Sequence, residues 1–461
     1  MSNFVRHFSI VMKSNTIDML TGPLLRPTLK FAIPLIATGI VQQSFNSADS
    51  FVVGRYCPSE ALAAVGSNGP VINLIVTLFM GLGVGINVVT ASCIGRRDDD
   101  AVRRSVATTG ILSIVSGLAM AIVGMLFSTP LLEMLATPEE VLDHASTYLR
   151  ILFFGLPFMM IYNFGAAILR SVGDTARPFY ILMVGCVANI GLDLLFVAKF
   201  DMGVAGVALA TSICMGLNAL LIVVLLLREQ SAIRLVPRRM RFYRRELRQI
   251  FHIGLPAGIQ GLVFSLSNVF ILSAINSFGA AASAGSAAAL NYELYCYFLV
   301  VAFVQATVAF TSQNYAAGKI ERCRRVYRIN MILAFAFCGI MNIVVVLNKG
   351  FFIGFFTDDP SVLPFAYSRL MHVLFFQFIA CSYEISGGAM RALGYSMTPT
   401  VVTILGTCVF RLLWVWGLTY YGGGFAELMA VYPITWAITG ISIVIAYIIV
   451  SRKAYAKIPT P

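Results

Sequence analysis

The chain has 461 residues, 58% of them hydrophobic and only 12% charged, with a mean hydropathy of +0.83 and a formal net charge of +12. A soluble domain typically carries about 25% charged residues, so this composition excludes a soluble globular protein and points to a polytopic membrane protein whose partner is the lipid bilayer. The positive charge fits basic loops gathered on one side of a membrane, and nucleic acid is not an expected partner.

A transmembrane helix needs about 20 mainly apolar residues. In lipid only helices and closed barrels satisfy their own backbone groups. The apolar runs here are helix-length and do not alternate in ten-residue strands, so an all-α membrane protein follows. Residues 1–27 are polar or mixed and contain Arg6, Lys13 and Arg26 without a short apolar core and cleavage site, so no cleavable signal peptide is expected. Twelve spans are predicted, near 28–54, 62–93, 105–127, 146–169, 177–198, 203–227, 250–277, 284–312, 328–348, 365–390, 398–420 and 425–450.

The connections test that count. RRDDDAVRR at 96–104, Arg170 and Arg177, the long 228–248 segment, KIERCRRVYR at 319–328 and the tail at 451–457 all fall on one side. The other side holds only Arg55, Lys199, Lys349 and Arg369. By the positive-inside rule both termini are cytoplasmic. In the outer loop at 128–146, Thr137-Pro138-Glu139-Glu140 reads as a capping box with proline at the first helical position, which predicts a short interfacial helix. The cysteines lie mostly within apolar runs without CxxC spacing and read as small apolar fillers.

The sequence repeats across the basic 228–248 segment. YNFGAAILRSVGDTARP at 162–178 matches YEISGGAMRALGYSMTP at 383–399 at Tyr, Gly, Ala, Arg, Gly and the final Pro, an offset of 221 residues. More loosely, 31–46 aligns with 252–268, pairing Pro34 with Pro256 and Asn46 with Asn268. The expected organisation is a cytoplasmic segment at 1–27, an N-lobe at 28–227, a basic linker at 228–249, a C-lobe at 250–450 and a cytoplasmic tail at 451–461. An even number of spans per half makes the repeats parallel, as in many secondary transporters.

The chemistry concentrates in the first half. Asp49 lies inside the first span, where a carboxylate is costly and marks a bundle interior or an aqueous cavity. Asp193 lies near the outer end of the fifth span, Asn189 is one turn earlier on the same face, and Thr211 lies in the sixth. At about 1.5 Å per residue all four fall roughly 7–14 Å from the outer surface. Two carboxylates, an amide oxygen and a hydroxyl suit a hard cation such as Na+, or a proton shared by the carboxylates, which resist being ionised together in a low dielectric. Read alone, Asn189 and Thr211 also suit ordinary interhelical hydrogen bonding; the two aspartates carry the functional reading.

At the repeat-related positions the second half has Phe410 for Asn189 and Trp414 for Asp193, so no second copy of the pocket is expected. The C-lobe instead carries Glu293, Glu384 and Arg411 at membrane depth, and Glu384 with Arg411, on adjacent spans, forms the expected ion pair. Gln42, Gln43, Asn73, Tyr292, Glu293, Glu384 and Arg411 are candidates for a substrate path, since aromatic faces and carboxylates attract flat organic cations. His252 and His372 read as interfacial. No HExxH, GxSxG, Walker loop or His/Cys cluster occurs, so neither an enzyme nor a cofactor is expected.

With these residues in hand the chain resembles the multidrug and toxic-compound extrusion (MATE) family, over roughly residues 20–450. The carriers are Pro34, Asp49 and Gly54 in the first span, ALAAVG and GLGVGINVVTASCIGRRD bounding the second, and ILRSVGDTARP. ANIGLDLLF, GVAGVALAT and RALGYSMTP complete the set. The resemblance implies twelve helices in a V-shaped pair of six-helix lobes that expels organic cations at the expense of an Na+ or H+ gradient. It implies Na+ coordination at Asn189, Asp193 and Thr211, and proton-linked rearrangement of the first span involving Asp49 and the hinge at Pro34. A monomer in the bacterial inner membrane is expected. A lipid-linked oligosaccharide flippase of the same wider superfamily is the alternative; few cations at membrane depth argue against it, and Arg411 argues for it.

Overall fold

The computed structural model describes residues 16–56, 59–134 and 139–458, and these are helical with no strand among them. The helices are α1 (Leu25–Tyr56), α2 (Ser59–Gly95), α3 (Asp99–Met134), α4 (Glu139–Ser171), α5 (Ala176–Asp193, continued by a π-helical turn Leu194–Lys199) and α6 (Gly203–Arg228). After the linker come α7 (Arg244–Asn276), α8 (Ala280–Ala316) and α9 (Ile320–Leu347). The series ends with α10 (Leu363–Ala392), α11 (397–421) and α12 (Phe425–Tyr455). Among the described residues eleven stretches are long and apolar enough to cross a membrane; α1, 32 residues long with a polar run at 42–50, stands at the remaining predicted span.

The helix at Glu139 corrects one expectation. It runs unbroken to Ser171 and includes no separate interfacial helix; the expected cap at Thr137 and Pro138 lies outside the described residues. With no breaker between Glu139 and the apolar run, the first turns simply extend the span.

The chain divides into two compact units. The first holds Ala37–Leu255 and the described chain up to Asp18; the second holds Met19–Ile36 and everything from Pro256. Two of the boundaries fall within α1 and α7, beside the repeat-related Pro34 and Pro256, and the third lies between Asp18 and Met19. In the first unit α4 packs against α2, α3 and α6, and α5 lies on α6. Small residues permit the close approaches: a Cβ on Gly117 would lie 2.5 Å from Pro157 Cα, and one on Gly185 would lie 2.3 Å from Asn218 Oδ1. In the second unit α8 packs on α9 and α10, while α12 covers α10 and α11.

The duplication is visible in backbone geometry. Gly173 and Gly394, related by the sequence repeat, both adopt positive φ (86° and 90°), which glycine reaches without a Cβ clash. Each amide closes on the arginine three residues earlier: Gly173 N–H donates to Arg170 O at 3.0 Å and Gly394 N–H to Arg391 O at 2.9 Å. The next residues follow suit, Asp174 N–H to Leu169 O at 3.0 Å and Tyr395 N–H to Met390 O at 2.9 Å. The same helix-ending hydrogen-bond pattern is thus written twice.

Candidate functional site: a buried carboxylate pair in the first unit

Helices α1, α5 and α6 bring the four predicted polar residues together. Asp49 and Thr211 are each 5% exposed, and Asn189 and Asp193 are fully buried. Asp193 ends the α-helical part of α5, immediately before the π turn. That turn interrupts regular helical spacing, a departure common at functional sites.

Asn189 is the centre of the cluster. Its carboxamide nitrogen donates to Asp49 Oδ1 at 2.9 Å and to Asp193 Oδ2 at 3.0 Å. These two acceptors fix the amide orientation, since neither carboxylate could receive a bond from the amide oxygen. The Thr211 hydroxyl donates to Asp49 Oδ2 at 3.3 Å and lies 3.4 Å from the other side of the Asn189 amide. Asp193 Oδ1 is buried without a hydrogen-bond donor. Around the polar centre, Val52, Val53, Tyr148, Val197, Val207 and Ala208 belong to one apolar cluster and keep water away.

The consequence is electrostatic. Among the described residues no lysine or arginine pairs with either aspartate. Two uncompensated carboxylates in a dry site are strongly disfavoured, so the arrangement favours taking up a proton or a small hard cation. The donor set is all oxygen once the amide turns, which suits an alkali cation and not a transition metal; no group of three His, Cys, Asp or Glu residues suited to a metal occurs among the described residues.

Pro34 stands inside α1, two residues before the last residue that α1 contributes to the second unit. It removes one backbone hydrogen bond from the helix at that point.

The remaining candidates do not assemble into one constellation. In the first unit Gln42 and Asn73 are exposed and Gln43 is half-buried, and Asn73 Oδ1 accepts a bond from Thr77 at 3.1 Å. In the second unit Tyr292 is core: its hydroxyl donates to Phe352 O at 2.6 Å and its ring meets Phe352 and Phe356 edge-on. Phe410 and Trp414, standing where the first half has Asn189 and Asp193, stack at 6.1 Å. That packed pair agrees with the expected asymmetry.

The expected Glu384–Arg411 ion pair is not formed. Arg411 is 1% exposed, donates to Asn268 Oδ1 at 3.0 Å and lies over the rings of Tyr432 and Phe264 at 4.5 and 5.1 Å. The cation whose field reaches Glu384 is Arg391, which itself donates to Gln260 at 2.8 Å. The offset of the two side chains along the membrane, roughly 8 Å from their helix positions, is not bridged because Arg411 is already held by its aromatic neighbours.

The ion pair that does form was hidden in the sequence. Arg369, counted above as a loop cation, is 4% exposed within α10 and forks onto both oxygens of Glu293 at 2.6 and 2.9 Å, with a further bond to Ser286. The available signal was Glu293 itself, since a carboxylate at membrane depth calls for a cation on a neighbouring helix.

Comparison with known proteins agrees with this architecture. The MatE family model matches residues 34–195 and 256–416, one segment per half, each starting at its repeat-related proline. The chain is 28% identical over 381 residues to the "Probable multidrug resistance protein YoeA" of Bacillus subtilis, covering 81% of this chain and 82% of the relative. It is 24% identical over 445 residues to a Shewanella oneidensis protein named "FAD transporter", with 92% and 94% covered. A solved structure described as the outward-facing conformation of a multidrug resistance MATE family transporter superposes with a TM-score of 0.89 at 23% identity, covering 96% of this chain and 99% of that one. Two matched halves, twelve helices and a shared fold lead to one conclusion: the chain belongs to the MatE family of membrane transporters and is not an enzyme.

Proposed function

We propose that this protein is a secondary active exporter that exchanges Na+ or H+ for organic, amphipathic cations by alternating access. The observation that carries the proposal is the buried cluster in which Asp49 and Asp193 share the Asn189 amide without a cationic partner. Such a pair takes up positive charge when open to one side of a membrane and gives it up on the other. With a proton, Asp49 and Asp193 hold it between them. With Na+, Asn189 turns its carbonyl oxygen inward and, with Asp193 and Thr211, supplies the ligands. Relatives named as multidrug resistance or multidrug export proteins support the export reading.

Pro34 serves in this reading as the hinge of α1, where the helix passes from one unit to the other. The gathering of basic connections on one side supports cytoplasmic termini, and the bacterial origin of the named relatives supports a bacterial inner membrane. The protein acts as a monomer and needs no cofactor beyond its coupling ion. The test is drug resistance in an export-deficient host: Asp49→Asn and Asp193→Asn each abolish it while the protein still accumulates in the membrane. Normal resistance from both variants overturns the proposal.

One observation favours a second reading of the substrate. Arg411 is fully enclosed in the second unit, and its Nε and one terminal nitrogen have no acceptor. Glu293 neutralises Arg369, which leaves Arg411 as an uncompensated cation. A substrate bearing an anionic group would supply the missing acceptor, as would the lipid-linked substrates of a flippase, and one relative is named for transport of FAD. Arg411→Gln separates the readings: export of cationic dyes survives it, export of an anionic substrate does not.

A further inference from the structure

The linker at 229–243 is one of two 15-residue connections between spans, the other being 348–362, and it does not hang free. It folds back onto the end of the first unit. Leu235 N–H donates to Leu226 O at 3.0 Å, Arg234 Nε to Leu227 O at 3.2 Å, and Tyr243 N–H to the Thr108 hydroxyl at 3.2 Å. Beyond it, Glu246 receives Arg104 at 2.8 Å. Gly110 on α3 makes room for this docking, since a Cβ there would lie 2.9 Å from the flexible end of Met240 and 3.2 Å from that of Leu235.

Alternate linker side chains then line two different cavities of about 190 Å³ each. On one side Arg234 and Arg239 join Arg103 of α3 around a polar cavity. On the other side Leu235, Pro237 and Met240 cover an apolar cavity walled by α3, α4 and α6, including Phe164, Ile222 and Val223. The order along α3 is significant. From the start of the helix, Arg103 lies roughly 6 Å along, Thr109 roughly 15 Å and Ile114 roughly 22 Å. Thr109 lines the apolar cavity, is 1% exposed, and its hydroxyl has no hydrogen-bond partner. A buried hydroxyl without a partner is costly and calls for an absent acceptor. Charge, then a lone hydroxyl, then apolar wall is the order of a phospholipid's phosphate, ester and acyl chain.

We infer that this paired site binds one anionic phospholipid, its phosphate held by Arg103, Arg234 and Arg239 and its acyl chain lying in the cavity beneath Leu235 and Met240. Exposed Asp100 meets Arg103 at 3.2 Å, a surface contact that a phosphate outcompetes, because exposed ion pairs are weak. Basic pockets beside membrane helices on the cytoplasmic side are a recurring setting for anionic lipid headgroups. Assignment to the cytoplasmic leaflet rests on the topology proposed above, whereas binding itself does not, so the two fail separately.

Native mass spectrometry of the detergent-solubilised full-length protein tests this, with phosphatidylglycerol, phosphatidylcholine and inorganic phosphate as the three probes. Phosphatidylglycerol is expected to be retained one per chain and phosphatidylcholine to be lost. The triple variant Arg103→Gln, Arg234→Gln, Arg239→Gln is expected to weaken retention about 100-fold, from the contribution of each basic residue near a lipid surface. Val223→Phe, which fills the apolar cavity and spares the arginines, is expected to weaken it as well, and unchanged melting temperatures show that both variants fold. Equal retention of the two lipids, undiminished phosphatidylglycerol binding by the triple variant, or phosphate binding unaccompanied by lipid overturns the inference. So does indifference to Val223→Phe, since it would reduce the site to a headgroup pocket.

Discussion

Asp49 and Asp193, brought from α1 and α5, are joined through a single amide: Asn189 donates to one oxygen of each, at 2.9 and 3.0 Å. This three-residue link makes the two carboxylates one unit. Whatever neutralises one of them alters the hydrogen bonding of the other, and with it the side-chain link between α1 and α5. Under the proposed function this is the physical content of coupling: a change of charge at one buried point is felt by two helices.

Replacing the bridge should therefore cost more than an ordinary hydrogen bond. Asn189→Ala leaves two buried carboxylates without a shared donor, a penalty of about 1–3 kcal/mol. The expected outcome is a clear fall in melting temperature in detergent, recovered in part at acid pH, where protonated carboxyls bond to each other directly. A melting temperature unaffected by the substitution at any pH would remove Asn189 from the centre of the cluster.

Thr211 has a smaller part. Its contacts are long, 3.3 and 3.4 Å, and a neutral hydroxyl at such distances contributes at most about 1 kcal/mol. Thr211→Val is expected to leave the fold and proton-driven export nearly intact while weakening Na+-driven export, because only the sodium ion needs that oxygen as a ligand. Measuring export under each imposed gradient separates the two effects.

In the second unit the pair that holds the helices is Glu293 with Arg369. Glu293→Gln is expected to destabilise by about 3–5 kcal/mol, the usual result of leaving a buried charge alone. The double variant Glu293→Gln with Arg369→Met should be markedly less harmful than the single one. By contrast, exchanging the charges of Glu384 and Arg411 should not rescue either single reversal, since those side chains are not partners. Thermal unfolding of the variants decides both points.

Pro34→Ala restores a backbone donor to α1 and removes the ring that interrupts its hydrogen-bond ladder. The folded protein should lose none of its stability, yet turnover should fall several-fold if bending at this point accompanies each cycle. Transport rate against melting temperature is the comparison to make, and equal turnover in parent and variant removes the hinge.

Much of this was legible in the residues. A helix stands at each of the twelve predicted spans, and eleven of these are long and apolar enough to cross a membrane, because long apolar runs and charged loops are the strongest signals a membrane sequence carries. The carboxylate cluster was legible for a related reason: Asp49, Asn189, Asp193 and Thr211 were costly or polar at matching depths. Side-chain partners were less legible. Arg369 looked like a loop cation because it lies only about two turns inside its span. Arg411 drew a false partner in Glu384 because helix adjacency says nothing of which way a side chain turns. The π turns after Asp193 and Arg369, and the one ending just before Phe410, shift helical register in ways that simple periodicity does not announce. The two cavities lined by the linker depend on the chain folding back, which a run of arginines gives no reason to expect.

The most direct test of the coupling site uses purified protein in liposomes loaded with a fluorescent organic cation, under an imposed inward Na+ or H+ gradient. The wild-type protein should expel dye against its concentration gradient under at least one of the two, and Asp49→Asn and Asp193→Asn, though folded, should do so under neither. Gradient-driven expulsion undiminished in either variant would contradict the assignment of this carboxylate pair as the point where ion entry is tied to export.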